Sequence, residues 1–271
     1  MYQLTASLPN FNISQLTRLI KLILISLLSF YTTNCQRLDY NAVRVKQVID
    51  GDTIILFNNQ HVRYIGIDTP ELRKNINGVW VYEPMPFAED AKDFNQRLVE
   101  GKLVRLEFDL EKKDKYNRLL AYCFVGETFV NAKLLEEGLS LIYTRPPNIK
   151  YVNLFVKLQK QARENKKGFW REVKIVPAQL ADKFIGSFKT VEGKVKNTSI
   201  SDKAIHLNFG KDYKNDFSAV IFKQDLTLFD TDTLVKNNFY RGKKLRITGF
   251  IKDYQGPEII VNHPSQIENL N

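Results

Sequence analysis

Hydrophobic and polar positions change period along the chain, and each change predicts an element. Short apolar or alternating runs at Val43–Val48, Thr53–Leu56, Val62–Ile67, Leu103–Phe108 and Leu119–Phe124 predict strands. Phe87–Glu100 instead places apolar residues at 87, 91, 94 and 98, a helical spacing that Gly101 ends. Val130–Glu137 before Gly138 and Leu154–Lys167 before Gly168 predict two further helices. Strands precede helices, so residues 36–171 are expected to form an α+β unit, a five-stranded barrel with three helices, rather than alternating βαβ. After a linker at 172–188, with a short helix around Ala178–Phe184, a second strand-rich series begins at residue 189. It reads as strands near 190–195, 204–209 and 217–222, a helical stretch near 226–239, and a hairpin over 242–261.

The N-terminus has a different pattern. Arg18 and Lys21 precede a charge-free run, Leu22–Tyr31. About 20 residues are needed to span a bilayer, whereas a basic flank before a 7–15-residue apolar run is the pattern of a secretory signal. Residues 1–35 are therefore expected to direct export. Cys35 follows in Thr32-Thr33-Asn34-Cys35, which resembles a bacterial lipoprotein cleavage site but has Asn34 where a small residue is usual. Acylation of Cys35 with membrane attachment and ordinary secretion are the two readings. Cys123, inside the run Leu119–Val125, reads as a small buried hydrophobe.

Composition narrows the function class. The 271 residues carry 40 Lys+Arg against 30 Asp+Glu, a formal charge of +10 spread over both halves. Such a balance favours an anionic partner. Two cysteines exclude a disulfide scaffold, and the isolated His61, His206 and His263 support no zinc site.

The polar punctuation between strands carries the candidate chemistry. Asp50-Gly51-Asp52-Thr53 follows the first strand, Gly66-Ile67-Asp68-Thr69-Pro70-Glu71 ends the third, and Asp114-Lys115-Tyr116-Asn117-Arg118 precedes the last. Singly, each is an ordinary turn or charged loop. Together they put three acids and two arginines at the ends of neighbouring strands. Asp52 and Asp68 offer hard oxygens suited to Ca²⁺ or Mg²⁺. Arg63 and Arg118 offer forks that bind phosphate oxygens in pairs. Glu71 is placed to order or deprotonate water.

These motifs, with Gly138–Tyr143 and the closing Gly168-Phe169-Trp170, make residues 41–171 resemble the staphylococcal nuclease (thermonuclease) family. The resemblance implies an OB-type barrel and cleavage of the P–O5′ bond in DNA and RNA, leaving 3′-phosphates. It implies one Ca²⁺ held by Asp52, Asp68 and the carbonyl of Thr69. Glu71 would act on the attacking water, and Arg63 and Arg118 on the scissile phosphate. Lys115, Tyr116 and Tyr143 would bind the nucleotide. Three positions depart from the family pattern. Asn117 stands for a turn glycine, and Asn tolerates the left-handed backbone. Arg145 stands where a second substrate-facing Tyr is expected. The loop from Leu72 to Phe87 carries Trp80, Tyr82 and Phe87; Trp80 is expected to pack against that loop, with stacking on a base as the rival reading.

The ending Gly242–Val261 is similar to OB-type nucleic-acid-binding domains, so residues 189–271 are expected to form a second, mostly β barrel. Its candidate contacts are Phe209, Tyr213, Phe217, Tyr254, Lys243, Lys244 and Lys252; for the two Phe, barrel core is the rival reading. The expectation for the whole is an exported, Ca²⁺-dependent nuclease, monomeric, favouring single-stranded or frayed DNA and RNA. Its rival is a catalytically silent nucleic-acid-binding surface lipoprotein.

Overall fold

The computed structural model describes residues 17, 18, 20, 21, 39–212, 215–229 and 240–270. Cys35, Tyr213 and nearly all of the expected leader lie outside the described residues. No helix among the described residues is long and apolar enough to cross a membrane. Tyr40–Asn271 forms one compact unit with two strand-rich halves.

In the first half, β1 (Val43–Val48), β2 (Thr53–Leu56), β3 (His61–Tyr64) and β4 (Gly66–Asp68) lead to a hairpin, β5 (Arg73–Ile76) and β6 (Val79–Tyr82). Helix α1 (Ala88–Val99) follows, then β7 (Leu103–Glu107), β8 (Leu119–Val125), β9 (Thr128–Phe129), α2 (Val130–Glu136), β10 (Leu141–Tyr143) and α3 (Val152–Glu164). The order β3-β2-β1-β7-β8 closes on itself through parallel β3–β8 pairing, giving the five-stranded barrel that the pattern predicts. Closure aims alternate side chains inward, and Val45, Ile54, Val62 and Ala121 are wholly buried there. Burying a Val or Ile side chain stabilises by about 1.5–3 kcal/mol, so this core dominates the half's stability. Helix α1 buries Ala88, Ala91, Asn95 and Val99, carries Glu89 and Asp90 in its first turn and Arg97 in its last, and so matches its own dipole.

The β5–β6 hairpin was not expected from the pattern. Its turn is Asn77-Gly78, both at positive φ (51° and 87°), the backbone that two-residue hairpins need. Trp80 on this hairpin is 65% exposed and not packed within its loop as expected.

The second half builds two sheets around one apolar core. One has the order β11-β12-β16-β19, from Ile175–Pro177, Phe188–Lys194, Lys244–Phe250 and Ile267–Asn269. The other runs β13-β14-β15-β18-β17, from Asn197–Ile200, Ala204–Asn208, Ser218–Phe222, Pro257–Ile260 and Lys252–Asp253. This arrangement is compatible with a second barrel. The stretch read as a linker contributes β11, parallel to β12, and a 3-10 helix at Ala178–Phe184, with Val176, Ala178 and Ala181 in the core. Phe209 and Phe217 are core residues 5.1 Å apart, which settles their two readings. Of the helix expected near 226–239, Lys223–Leu228 forms a 3-10 helix and residues 230–239 lie outside the described residues.

The two halves meet through an aromatic cluster of Phe169, Trp170 and Phe188, with Phe87 and Phe250 packed against it. Two polar bonds cross the same junction. Gln159 Nε2 donates to Ser265 Oγ (3.2 Å) and Arg163 Nη2 to Glu268 Oε2 (3.1 Å).

Candidate active site

The β1–β2 connection and the end of β4 bring the acidic motifs together. Asp52 is only 4% exposed, so its charge must be compensated inside the protein. Its Oδ2 accepts from Thr69 N–H (2.8 Å) and Thr69 Oγ1 (3.0 Å) and lies 3.0 Å from Arg63 Nη1. Its Oδ1 accepts from Thr53 Oγ1 (3.1 Å). Gly51 permits this approach, since a Cβ there would stand 2.6 Å from Thr69 Cγ2 and 2.8 Å from Ala91 Cβ.

Arg63 on β3 is the shared cation. Nη2 donates to Asp68 Oδ1 at 2.7 Å, while Nη1 also donates to the carbonyls of Ile67 (2.8 Å) and Tyr64 (2.9 Å). These bonds leave Nε–H and one Nη2–H of the fork for another anion. The Asp68 side chain is half exposed, so one face of the pair opens to solvent.

Four carboxylates crowd this one guanidinium. Burial, then the neighbouring Asp52, pushes Asp50 up to about 7 against the pull of Arg63. Asp68, though half exposed, is raised by partial desolvation and by Asp52, with Arg63 and Lys252 opposing. Glu71 is exposed at the surface, and partial desolvation, then Asp68 and Asp52, raise it against Arg63 and Lys252. Asp50 and Asn95 are contributors that the sequence reading did not single out. Asp50 Oδ1 accepts from Asp52 N–H (3.0 Å). The wholly buried Asn95 of α1 accepts from Tyr64 Oη (3.0 Å) and donates to the Asp50 carbonyl (3.2 Å), which pins the turn to the helix. Inward-facing Asn on an otherwise apolar helix face was the available signal.

The second arginine arrives on a neighbouring strand. Arg63 pairs with Leu120 across parallel β3 and β8, and Arg118 lies two residues before Leu120. Asp114 organises the loop: its Oδ1 accepts from the N–H groups of Tyr116 (2.9 Å) and Arg118 (3.0 Å), and its Oδ2 from Arg118 Nε (2.8 Å). Asn117 sits at φ 64°, as expected of the residue replacing the turn glycine. Lys115 and Arg118 both lie near the ring of Tyr116, which is 69% exposed. Among the described residues no hydrogen bond or ion pair joins this loop to the acid cluster. Tyr143 lies on β10, paired with Gly66 of β4, and Asp68 and Arg63 both act on its hydroxyl. Cys123 is buried and pushed up to about 12, as befits a packing thiol.

No three acids, imidazoles or thiols converge at metal-ligand spacing among the described residues. The donor set nevertheless fits a hard dication. Asp52 and Asp68 supply carboxylate oxygens, and such an ion would offset the desolvation and relieve the mutual repulsion that together raise Asp50, Asp68 and Glu71.

The family described as staphylococcal nuclease homologue matches residues 61–172. That span takes in Arg63, Asp68, Thr69, Glu71, Lys115, Tyr116, Arg118 and Tyr143; Asp52 precedes it and is joined to it by the ion pair with Arg63. The chain is 40% identical over 141 residues to a thermonuclease of Staphylococcus hyicus, covering 51% of this chain and 79% of that protein. It is 42% identical over 129 residues to a thermonuclease of Staphylococcus intermedius, covering 46% and 74%. It is 39% identical over 133 residues to endonuclease YncB of Bacillus subtilis, covering 47% and 61%.

Proposed function

The chain belongs to the staphylococcal nuclease family and is a nuclease, and from that premise we propose an exported, Ca²⁺-dependent enzyme that hydrolyses DNA and RNA with low sequence specificity and leaves 3′-phosphates. The observation that carries this reading is Arg63, shared between Asp52 and Asp68 with Glu71 within electrostatic reach. Asp52, Asp68 and the Thr69 carbonyl would hold Ca²⁺, which supplies charge neutralisation when bound.

The chain's own groups do the rest. Arg63 turns its unused N–H groups to the scissile phosphate, and Arg118 grips it from the neighbouring strand. Both forks favour the more highly charged transition state. Glu71 orders water and takes its proton; its raised proton affinity brings it nearer to working pH. Lys115, Tyr116 and Tyr143 hold the adjoining nucleotide. No base-reading set of side chains is needed for these contacts, which is why low sequence specificity follows. The charge-free run behind Arg18 and Lys21 supports export, with attachment through acylated Cys35 or free secretion following it.

The test is release of acid-soluble product from denatured DNA with Ca²⁺ and with excess EGTA. Release only with Ca²⁺ is expected, and Glu71→Gln should lower it by about 10²–10⁴-fold. A folded protein that binds DNA yet releases nothing with Ca²⁺ or Mg²⁺ would make it a binding module instead.

A further inference from the structure

We propose that the second half completes the substrate cleft with a phosphate-binding subsite whose cation is Lys252. The inference deepens the nuclease reading and rests on it for the identity of the strand that fills the cleft.

The first support is how the halves are joined. Phe250 lies 5.1 Å from Phe188, which packs at 4.6 Å on Phe169 of the first half. Gln159 of α3 bridges the same junction: its Oε1 accepts from Ile142 N–H on β10 (2.8 Å) while its Nε2 donates to Ser265 (3.2 Å). Ile142 adjoins Tyr143 and pairs with Ile67, one residue before Asp68. The strand pair that presents site residues is thereby fastened to the second half.

The second support is strand geometry. Successive side chains of an extended chain alternate in direction. Phe250 points into the junction, Ile251 is wholly buried in the second core, and Lys252 therefore returns to the junction side. Its positive field reaches Asp68 and Glu71. Lys244 and Arg246, earlier on the same chain segment, are closed onto Glu192, whereas Lys252 closes no ion pair among the described residues.

The third support is a second element on the other flank. Asp225, 1% exposed, acts electrostatically on Tyr143 and is itself acted on by Arg145. The fields of two separate segments of the second half thus reach the site, one at Asp68 and Glu71 and one at Tyr143. Lys252 stands opposite Glu258 across β17 and β18 without closing an ion pair on it, and an exposed ammonium there is suited to a neighbouring, non-scissile phosphate of the same strand.

The experiment measures binding of a fluorescent single-stranded oligonucleotide by anisotropy, in EGTA, across a salt series. Lys252→Gln should weaken binding for all sequences alike and reduce the slope of log K against log salt by about 0.7, the value of one single-strand phosphate contact. Lys252→Arg should restore the slope. Lys133→Gln, which removes the same charge from an ion pair with Glu136 on α2, should leave the slope and the activity at wild-type values. In Ca²⁺, Lys252→Gln should raise KM for the oligonucleotide more than it lowers kcat. A Lys252→Gln protein with the wild-type slope, or a wild type that binds no oligonucleotide without metal, overturns the subsite. A wild type that binds with the expected slope change but cleaves nothing overturns the nuclease reading and leaves the subsite standing.

Discussion

The two halves are built alike, yet the acid cluster of the first and the Glu192 cluster of the second treat charge in opposite ways. Both wrap short strands around an apolar core. In the second half Glu192 meets Lys244 (2.5 Å) and Arg246 (2.9 Å), two cations for one acid, and its carboxyl is held below the usual range. In the first half Arg63 pairs with Asp52 and Asp68 and feels the charges of Asp50 and Glu71, and three of these four acids are pushed above that range. A surface ion pair of the first kind contributes little to stability and asks for no ligand. The second kind is a charge imbalance kept in a folded protein, and such imbalances gather at functional sites. Similar architecture therefore says little about where chemistry happens; uncompensated charge says more.

The largest test of this contrast is loss of the central cation in each half. Arg63→Ala leaves Asp52 buried without its partner, so unfolding by denaturant should show a loss of about 3–5 kcal/mol, with cleavage down at least 10²-fold. Arg246→Ala removes one of two cations from each of two solvent-accessible acids, Glu192 and Glu268, and should cost far less stability than Arg63→Ala with cleavage unchanged. Equal losses in the two halves would dissolve the comparison.

A smaller effect concerns pH. The folded value of Asp50, about 7, lies above its ordinary 3.8, so its stabilising contribution is complete below about pH 4 and is lost as pH rises through about 7. In chelator, Asp50→Asn should raise the melting temperature at pH 8 by several degrees and leave it unchanged at pH 4. Ca²⁺ should shrink the difference, because the ion does part of what the substitution does. A melting difference independent of pH would show that Asp50 is not strained by its neighbours.

Smaller again is the turn that holds Arg118. Asn117→Ala at φ 64° should cost about 1 kcal/mol and lower cleavage several-fold by disturbing Lys115, Tyr116 and Arg118. Asn117→Gly should keep both within about 0.5 kcal/mol of wild type. Equal behaviour of the two variants would mean that the loop's backbone does not set the position of the arginine.

Much of the first half was legible from the chain alone. Period-2 runs gave the barrel strands and the 3.6 period gave three helices to within a few residues, because both are local consequences of which face is buried. The β5–β6 hairpin had its signal too, in Asn77-Gly78 between Arg73–Ile76 and Val79–Tyr82, but exposed polar-flanked strands lack a buried face and the pattern there is weak. Asn95 and Gln159 were not legible as site supports. A polar residue on a helix face shows its purpose only when the backbone group it satisfies is known, and those groups lie 45 and 17 residues away.

The sequence by itself determined the barrel, the order of its elements, and the residue types of the acid, arginine and tyrosine motifs, since these depend on neighbours within a few positions. Tertiary structure alone decided that one guanidinium serves both Asp52 and Asp68, that Asp50 joins them, and that the charges of Lys252 and Asp225 reach the same site. Those are facts of burial and distance between segments far apart in the chain, and proton affinity and ion pairing depend on burial and distance rather than on sequence order.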